Sequence, residues 1–168
     1  KHSYDHHDGE AQAIFKKIEA FHKRRALNAV IFHPHTIRNF DLLKTAKFPV
    51  AFENLDERLE SGIYRTPEGM KTLFDEFPDA SIVLDMDHIY TLDPSMQYAK
   101  KFYTELRDQI RQIHLSGCKD SYPYPLFKTK KKGVIRAIQN TNIPIIIESA
   151  LKLEDTKKEY DYILKYLK

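Results

Sequence analysis

The feature that most constrains the fold is an apolar run that ends abruptly in charge, Ser81-Ile82-Val83-Leu84 followed by Asp85-Met86-Asp87-His88. A short run without polar alternation suits a strand buried on both faces, as in a parallel sheet, so the polar cluster should lie just past the strand's end. The pattern recurs. Ala29-Val30-Ile31-Phe32 runs into His33-Pro34-His35, and Phe48-Pro49-Val50-Ala51-Phe52 runs into Glu53-Asn54. Ile110 to Leu115 carries His114, and Ile143-Pro144-Ile145-Ile146-Ile147 stops at Glu148.

Helical patterns separate these runs. Ala11, Ile14, Phe15, Ile18 and Phe21 recur at helical spacing over Glu10 to Arg25. A helical turn is expected around Ile37 to Leu43. Thr66-Pro67-Glu68 and Asp93-Pro94 read as helix starts, Ser116 to Phe127 as a loop, Val134 to Ile138 as a short helix, and Leu151 to Leu167 as the closing helix. Regular alternation of strand and helix, with no linker or composition break, predicts one α/β domain of parallel βαβ units over residues 1–168.

Composition excludes several classes. No apolar run nears 18 residues, and Lys1 to Glu10 is too polar for a signal peptide, so a soluble, cytoplasmic protein without membrane contact is expected. One cysteine, Cys118, excludes an intrachain disulfide framework. The net charge of +3 comes largely from Lys128, Lys130, Lys131 and Lys132, a segment read as a solvated loop or helix start. Such localised basicity gives no support for a nucleic-acid groove.

His33, Glu53, Asp85, His114 and Glu148 stand roughly 20 to 34 residues apart, about one βα repeat. In a (β/α) barrel all strands open on one face, which would gather these residues around one cavity. Carboxylates with an imidazole suit a divalent ion such as Mn2+, Zn2+, Mg2+ or Co2+. Asp87 reads as a supporting or an exposed acid, facing away from Asp85 if the strand continues. His35 reads as a cap of the next turn, and His6, His7 and His22 as solvated residues.

The ordered set His33-Pro34-His35, Glu53-Asn54, Asp85-x-x-His88, Ile113-His114-Leu115 and Ile147-Glu148-Ser149 resembles the xylose-isomerase-like TIM barrels, across nearly the whole chain. That superfamily includes sugar-phosphate isomerases and epimerases and the endonuclease IV type of abasic-site nuclease. The resemblance implies an incomplete (β/α) TIM-barrel type with about six parallel strands, matching the third to eighth strands of the eight-stranded barrel and lacking two N-terminal βα units. Open strand edges would favour a homo-oligomer.

For the epimerase branch the resemblance implies an ion held by Glu53, Asp85, His114 and Glu148. Glu53 and Glu148 would be the acid/base pair acting alpha to a carbonyl of a sugar or sugar phosphate, and His33, His88, Asn54 and Lys119 would bind substrate. For the nuclease branch His2, His33 and His88 would join the ligands around a zinc cluster, but no histidine follows His114 in the chain. The loop after His114 also lacks the arginine that many epimerases place there. A third reading, drawn from the missing repeats, is a non-catalytic barrel remnant that serves as a binding module.

Overall fold

A computed structural model of the chain describes residues 9–37, 40–57, 62–120 and 122–167. In order, the elements are α1 (Gly9–Arg24), β1 (Val30–Phe32), α2 (Asp41–Lys44), β2 (Val50–Glu53), α3 (Pro67–Glu76), β3 (Ser81–Asp85), α4 (Met86–Leu92), α5 (Gln97–Glu105), β4 (Ile110–Leu115), β5 (Gly117–Lys119), β6 (Tyr122–Tyr124), α6 (Leu126–Thr129), α7 (Lys132–Arg136), β7 (Ile145–Ile147) and α8 (Thr156–Tyr166). Five strands pair in parallel in the order β1-β2-β3-β4-β7 and curl as a half-barrel. The expected count was about six; five are found among the described residues, and His2, with the segment before Gly9, lies outside them.

The register sorts the side chains. Ile31 aligns with Ala51, Glu53 with Val83, Val83 with Gln112, Asp85 with His114, and His114 with Ile146. Paired positions share a face, and residues two apart on a strand share it too. Glu53, Asp85, Gln112 and His114 therefore all lie on the concave side, in two successive rows. The opposite side carries Phe32, Phe52, Ile82, Leu84, Ile113 and Leu115, all buried against the helices. There Phe15 of α1 meets Phe32 and Phe48 at ring-centroid distances of 5.9 and 5.4 Å, and Phe52 meets Phe77 at 5.5 Å. Each such fully buried ring contributes about 2 kcal/mol through removal from water. The core thus lies on the side of the sheet away from the polar rows.

Some local expectations change. The β3 strand does not continue toward Tyr90: it stops at Asp85, whose Oδ1 accepts from the Asp87 and His88 backbone N–H groups at 2.8 and 2.9 Å and so starts α4. Asp87 is therefore a buried residue of the first helical turn, where Lys131 Nζ stands 3.5 Å from its Oδ1. Lys131 also lies 4.2 Å above the Tyr90 ring, and Lys128 pairs with Asp155 at 2.8 Å. Lys130 Nζ lies 5.3 Å from the Tyr162 ring centre, so three of the four lysines read as solvated are tied into the fold. The helix expected at Asp93-Pro94 starts at Gln97, because the Asp93 side chain accepts from Ser95 and Tyr98 N–H and holds the intervening turn. Phe21, read onto the buried face of α1, is 54% exposed.

The segment read as a loop after His114 contains the antiparallel hairpin β5-β6 and then α6. The closing helix begins at Thr156, after a 3-10 turn over Leu153–Asp155. Its Glu159 is fully buried and accepts from the Leu126 and Phe127 N–H groups, each at 2.9 Å, and from the Ser149 hydroxyl at 2.6 Å. One carboxyl group thereby caps α6 and anchors the chain just after Glu148. Glu159→Ala would leave the Leu126 and Phe127 N–H groups without an acceptor and the Ser149 hydroxyl with only the Tyr124 carbonyl at 3.5 Å, at roughly 1 to 3 kcal/mol for each unsatisfied group. Denaturant unfolding should show a loss of about 2 kcal/mol or more; a loss below about 1 kcal/mol would mean that water or a neighbour replaces the cap.

Candidate metal centre

The strand ends bring four predicted residues together. One ligand atom each from Glu53, Asp85, His114 and Glu148 fall within 4.8 Å of one another. Glu53 ends β2, Asp85 ends β3, His114 is the penultimate residue of β4, and Glu148 follows β7. Glu53, Asp85 and His114 are buried, whereas the Glu148 side chain is 38% exposed.

Backbone clamps fix this geometry. The Asp85 N–H donates to Asn54 Oδ1 at 2.7 Å, and Asn54 Nδ2 donates to the Asp85 carbonyl at 3.1 Å. The fully buried Asn54 thus locks the exits of β2 and β3 at one level. Both ends of its side-chain amide hydrogen-bond to the Asp85 backbone, which makes it a support of the site. Asp85 spends Oδ1 on capping α4 and turns Oδ2 toward the cluster, 3.7 Å from His88 Nε2.

The histidines divide. His114 Nδ1 stands 3.1 Å from Glu148 Oε1 and 3.6 Å from Glu53 Oε2, yet makes no well-directed hydrogen bond among the described residues. Its Nε2 lies 2.7 Å from the Gln112 side-chain amide. His88 Nδ1 is 2.8 Å from the Asn54 carbonyl and therefore donates to it, which leaves Nε2 facing Asp85. His33, about half exposed, reaches Glu53 Oε2 at 3.3 Å, with the His35 ring 6.0 Å from its own. His35 sits inside the 3-10 turn Pro34–Thr36 rather than at its cap. Lys119 is exposed on β5, with Nζ 5.5 Å from the Tyr124 ring centre.

These neighbours set the protonation states. Burial pushes the Asp85 carboxyl up to about 7, the nearby His88 opposes that, and Glu53 and Asp87 reinforce it. Burial also pushes Glu53 up, but the His114, His33 and His88 imidazoles outweigh it and hold Glu53 below the ordinary carboxylate value. Burial pushes the His88 and His114 rings down; the carboxylates around them overcome this and raise both. Without a cation, protons neutralise the crowd of acids.

The donor set fits a divalent ion. Three carboxyl groups provide hard oxygen and one imidazole provides nitrogen, a combination suited to manganese, magnesium, cobalt or zinc. His114 turns Nδ1 toward the carboxylates, while the Gln112 side-chain nitrogen stands 2.7 Å from its Nε2. Residues that the sequence did not single out complete the site: Gln112, and Glu159 acting through Ser149. Gln112 was legible only as a polar interruption in Ile110-Arg111-Gln112-Ile113, and Glu159 hid in a charged amphipathic stretch.

A bound ion must displace protons from Asp85 and His114, so its apparent affinity should rise as pH climbs through about 7 and level off above it. Mn2+ titration across a pH series checks this. Affinity independent of pH through that interval would contradict the assigned protonation states.

No family model matches the chain, and no curated protein matches it. Among solved structures the chain is similar to the apo form of 3-keto-D-glucoside 4-epimerase, YcjR, from E. coli, with a TM-score of 0.43 and 15% identity, covering 93% of this chain and 51% of that one. The chain spans about half the length of that protein. No helix among the described residues is long and apolar enough to cross a membrane.

Proposed function

We propose that this chain belongs to the xylose-isomerase-like barrels and acts as a metal-dependent sugar or sugar-phosphate isomerase or epimerase. The observation that carries the reading is the meeting of Glu53, Asp85, His114 and Glu148 at the ends of four strands, with ligand atoms within 4.8 Å. When bound, a divalent ion supplies Lewis-acid polarisation of a carbonyl and its neighbouring hydroxyl. The chain's own residues supply the proton transfers. Glu53, kept ionised by the imidazoles around it, takes a proton from the carbon alpha to the carbonyl, and Glu148 at the mouth returns one on the other side. His88 presents Nε2 to a substrate hydroxyl beside Asp85. Lys119, on the hairpin that follows His114, offers a cation to an anionic group such as a phosphate.

Glu53→Gln and Glu148→Gln should each lower turnover by about 100-fold or more while leaving the unfolding curve unchanged, the usual scale for loss of a positioned acid or base. The measurement is deuterium uptake from solvent at the alpha carbon across a panel of ketoses, aldoses and their phosphates. Wild-type exchange in both variants would sink the mechanism.

A second reading is favoured by one observation: His33 Nε2 stands 3.3 Å from Glu53 Oε2 and His88 Nε2 stands 3.7 Å from Asp85 Oδ2, which provides nitrogen donors for more than one ion. This is the abasic-site nuclease reading. It requires two or more zinc ions per chain and cleavage of abasic duplex DNA; one ion and no cleavage at high protein concentration would remove it.

A further inference from the structure

The unpaired positive charge of this chain is concentrated on α1 and the residue that follows it. Residues 16–25 hold five cations, Lys16, Lys17, Lys23, Arg24 and Arg25, and one acid, Glu19, a local charge of +4 against +3 for the whole chain. All five cations are exposed, and none is paired with a carboxylate among the described residues. The lysines at 128–132, by contrast, are mostly tied into the fold. A helix C-terminus favours a nearby cation, which accounts for Arg24 but not for Lys16 and Lys17 farther back.

Beside these cations lies an apolar groove. Lys17, Ile18, Phe21, Leu27, Ala29 and Val30 line a cavity of about 430 Å3 between α1 and the start of β1. Phe21 is more than half exposed there, and Lys17 and Arg24 stand one turn to either side of it along α1. His22, read as solvated, accepts from the Leu27 N–H at its Nδ1, 3.0 Å away, and so holds the turn that brings Leu27 back to the groove. The strand on the far wall is open as well. β1 ends the five-stranded sheet, and no strand pairs with its outer side among the described residues. Val30 donates its N–H inward to the Pro49 carbonyl at 2.8 Å, so the alternation along the ladder turns the Ile31 N–H and carbonyl outward.

We propose that this groove is a docking surface for an acidic peptide segment that carries apolar anchors. The segment hydrogen-bonds to the free edge of β1, seats an apolar side chain against Phe21 and Leu27, and sets its carboxylates against Lys17 and Arg24. A bilayer would need the apolar face of a helix, and on α1 that face, with Ala11 and Phe15, is buried in the core. A nucleic-acid strand would need successive stacking rings, and the groove offers Phe21 alone. The surface sits at the start of β1, the end away from His33, and is independent of the metal-centre reading.

The test titrates the chain into short fluorescent peptides in which glutamates flank a leucine-phenylalanine pair at varied spacing, with anisotropy as the readout. Control peptides replace the glutamates by glutamine, or the apolar pair by serine. Wild type should prefer an acidic apolar peptide over both of its controls by about 10-fold or more, and binding should weaken as salt rises. Phe21→Ser and the pair Lys17→Glu/Arg24→Glu should each weaken it by about 10-fold or more without unfolding the chain. Absence of any preferred acidic peptide would overturn the proposal, as would wild-type affinity in either variant. Tighter binding to a single-stranded oligonucleotide or to phosphatidylserine vesicles would overturn it too. So would a dimer, seen by sedimentation and lost in Phe21→Ser, because a second copy would then fill the groove.

Discussion

Like charges held close in a poorly solvated place are the constraint on which the rest of this structure depends. Glu53, Asp85 and Glu148 bring ligand oxygens within 4.8 Å of one another, so as carboxylates they repel in pairs, least where water screens the half-exposed Glu148. Only two remedies are available to the chain: protons or cations. The three imidazoles of His33, His88 and His114 supply the first around Glu53, and burial of Asp85 favours its neutral form. A divalent ion supplies the second more completely, because it can approach every acid at once. The acids are uncomfortable alone and well matched to a cation, which is the ordinary electrostatic signature of a functional cluster.

Holding such a cluster requires rigidity that the acids cannot provide for one another. The parallel register sets the strand ends side by side, and Asn54 joins two of them through both ends of its amide. Asp85 is fixed a second time by capping α4. On the far side, the hairpin spans the exits of β4 and β7: the Ala150 N–H donates to the Pro123 carbonyl at 3.3 Å, and Glu159 gathers Ser149 and the start of α6. The apolar core, with its stacked phenylalanines, lies on the opposite side of the sheet. Stability and chemistry are thus separated by one layer of backbone.

Much of this was legible in the sequence for one reason: strands of a parallel sheet are apolar, so a charged residue at the end of each stands out. Glu53, Asp85, His114 and Glu148 were found that way, and so was the α/β alternation. What stayed hidden depends on which way a polar side chain turns. That Asn54 ties its amide to the Asp85 backbone, 31 residues away in sequence, could not be read from its place after Glu53. Gln112 and Glu159 interrupt or decorate periodic segments, and only the register of β4 or the packing of α8 against α6 reveals what they face. The hairpin was missed because its strands are three residues each, and Pro123 within β6 reads as a loop signal. The lysine run looked solvated because its partners, Asp87 and Asp155, are distant in sequence.

The unequal exposure of the four ligand residues has a consequence for hydration. Glu53, Asp85 and His114 are enclosed and anchored, whereas Glu148 lies at the rim with more than a third of its side chain in water. The cluster is therefore sealed from water on three sides and open to it on the fourth, along the β7 edge, where Glu148 is the one acid that bulk water hydrates directly.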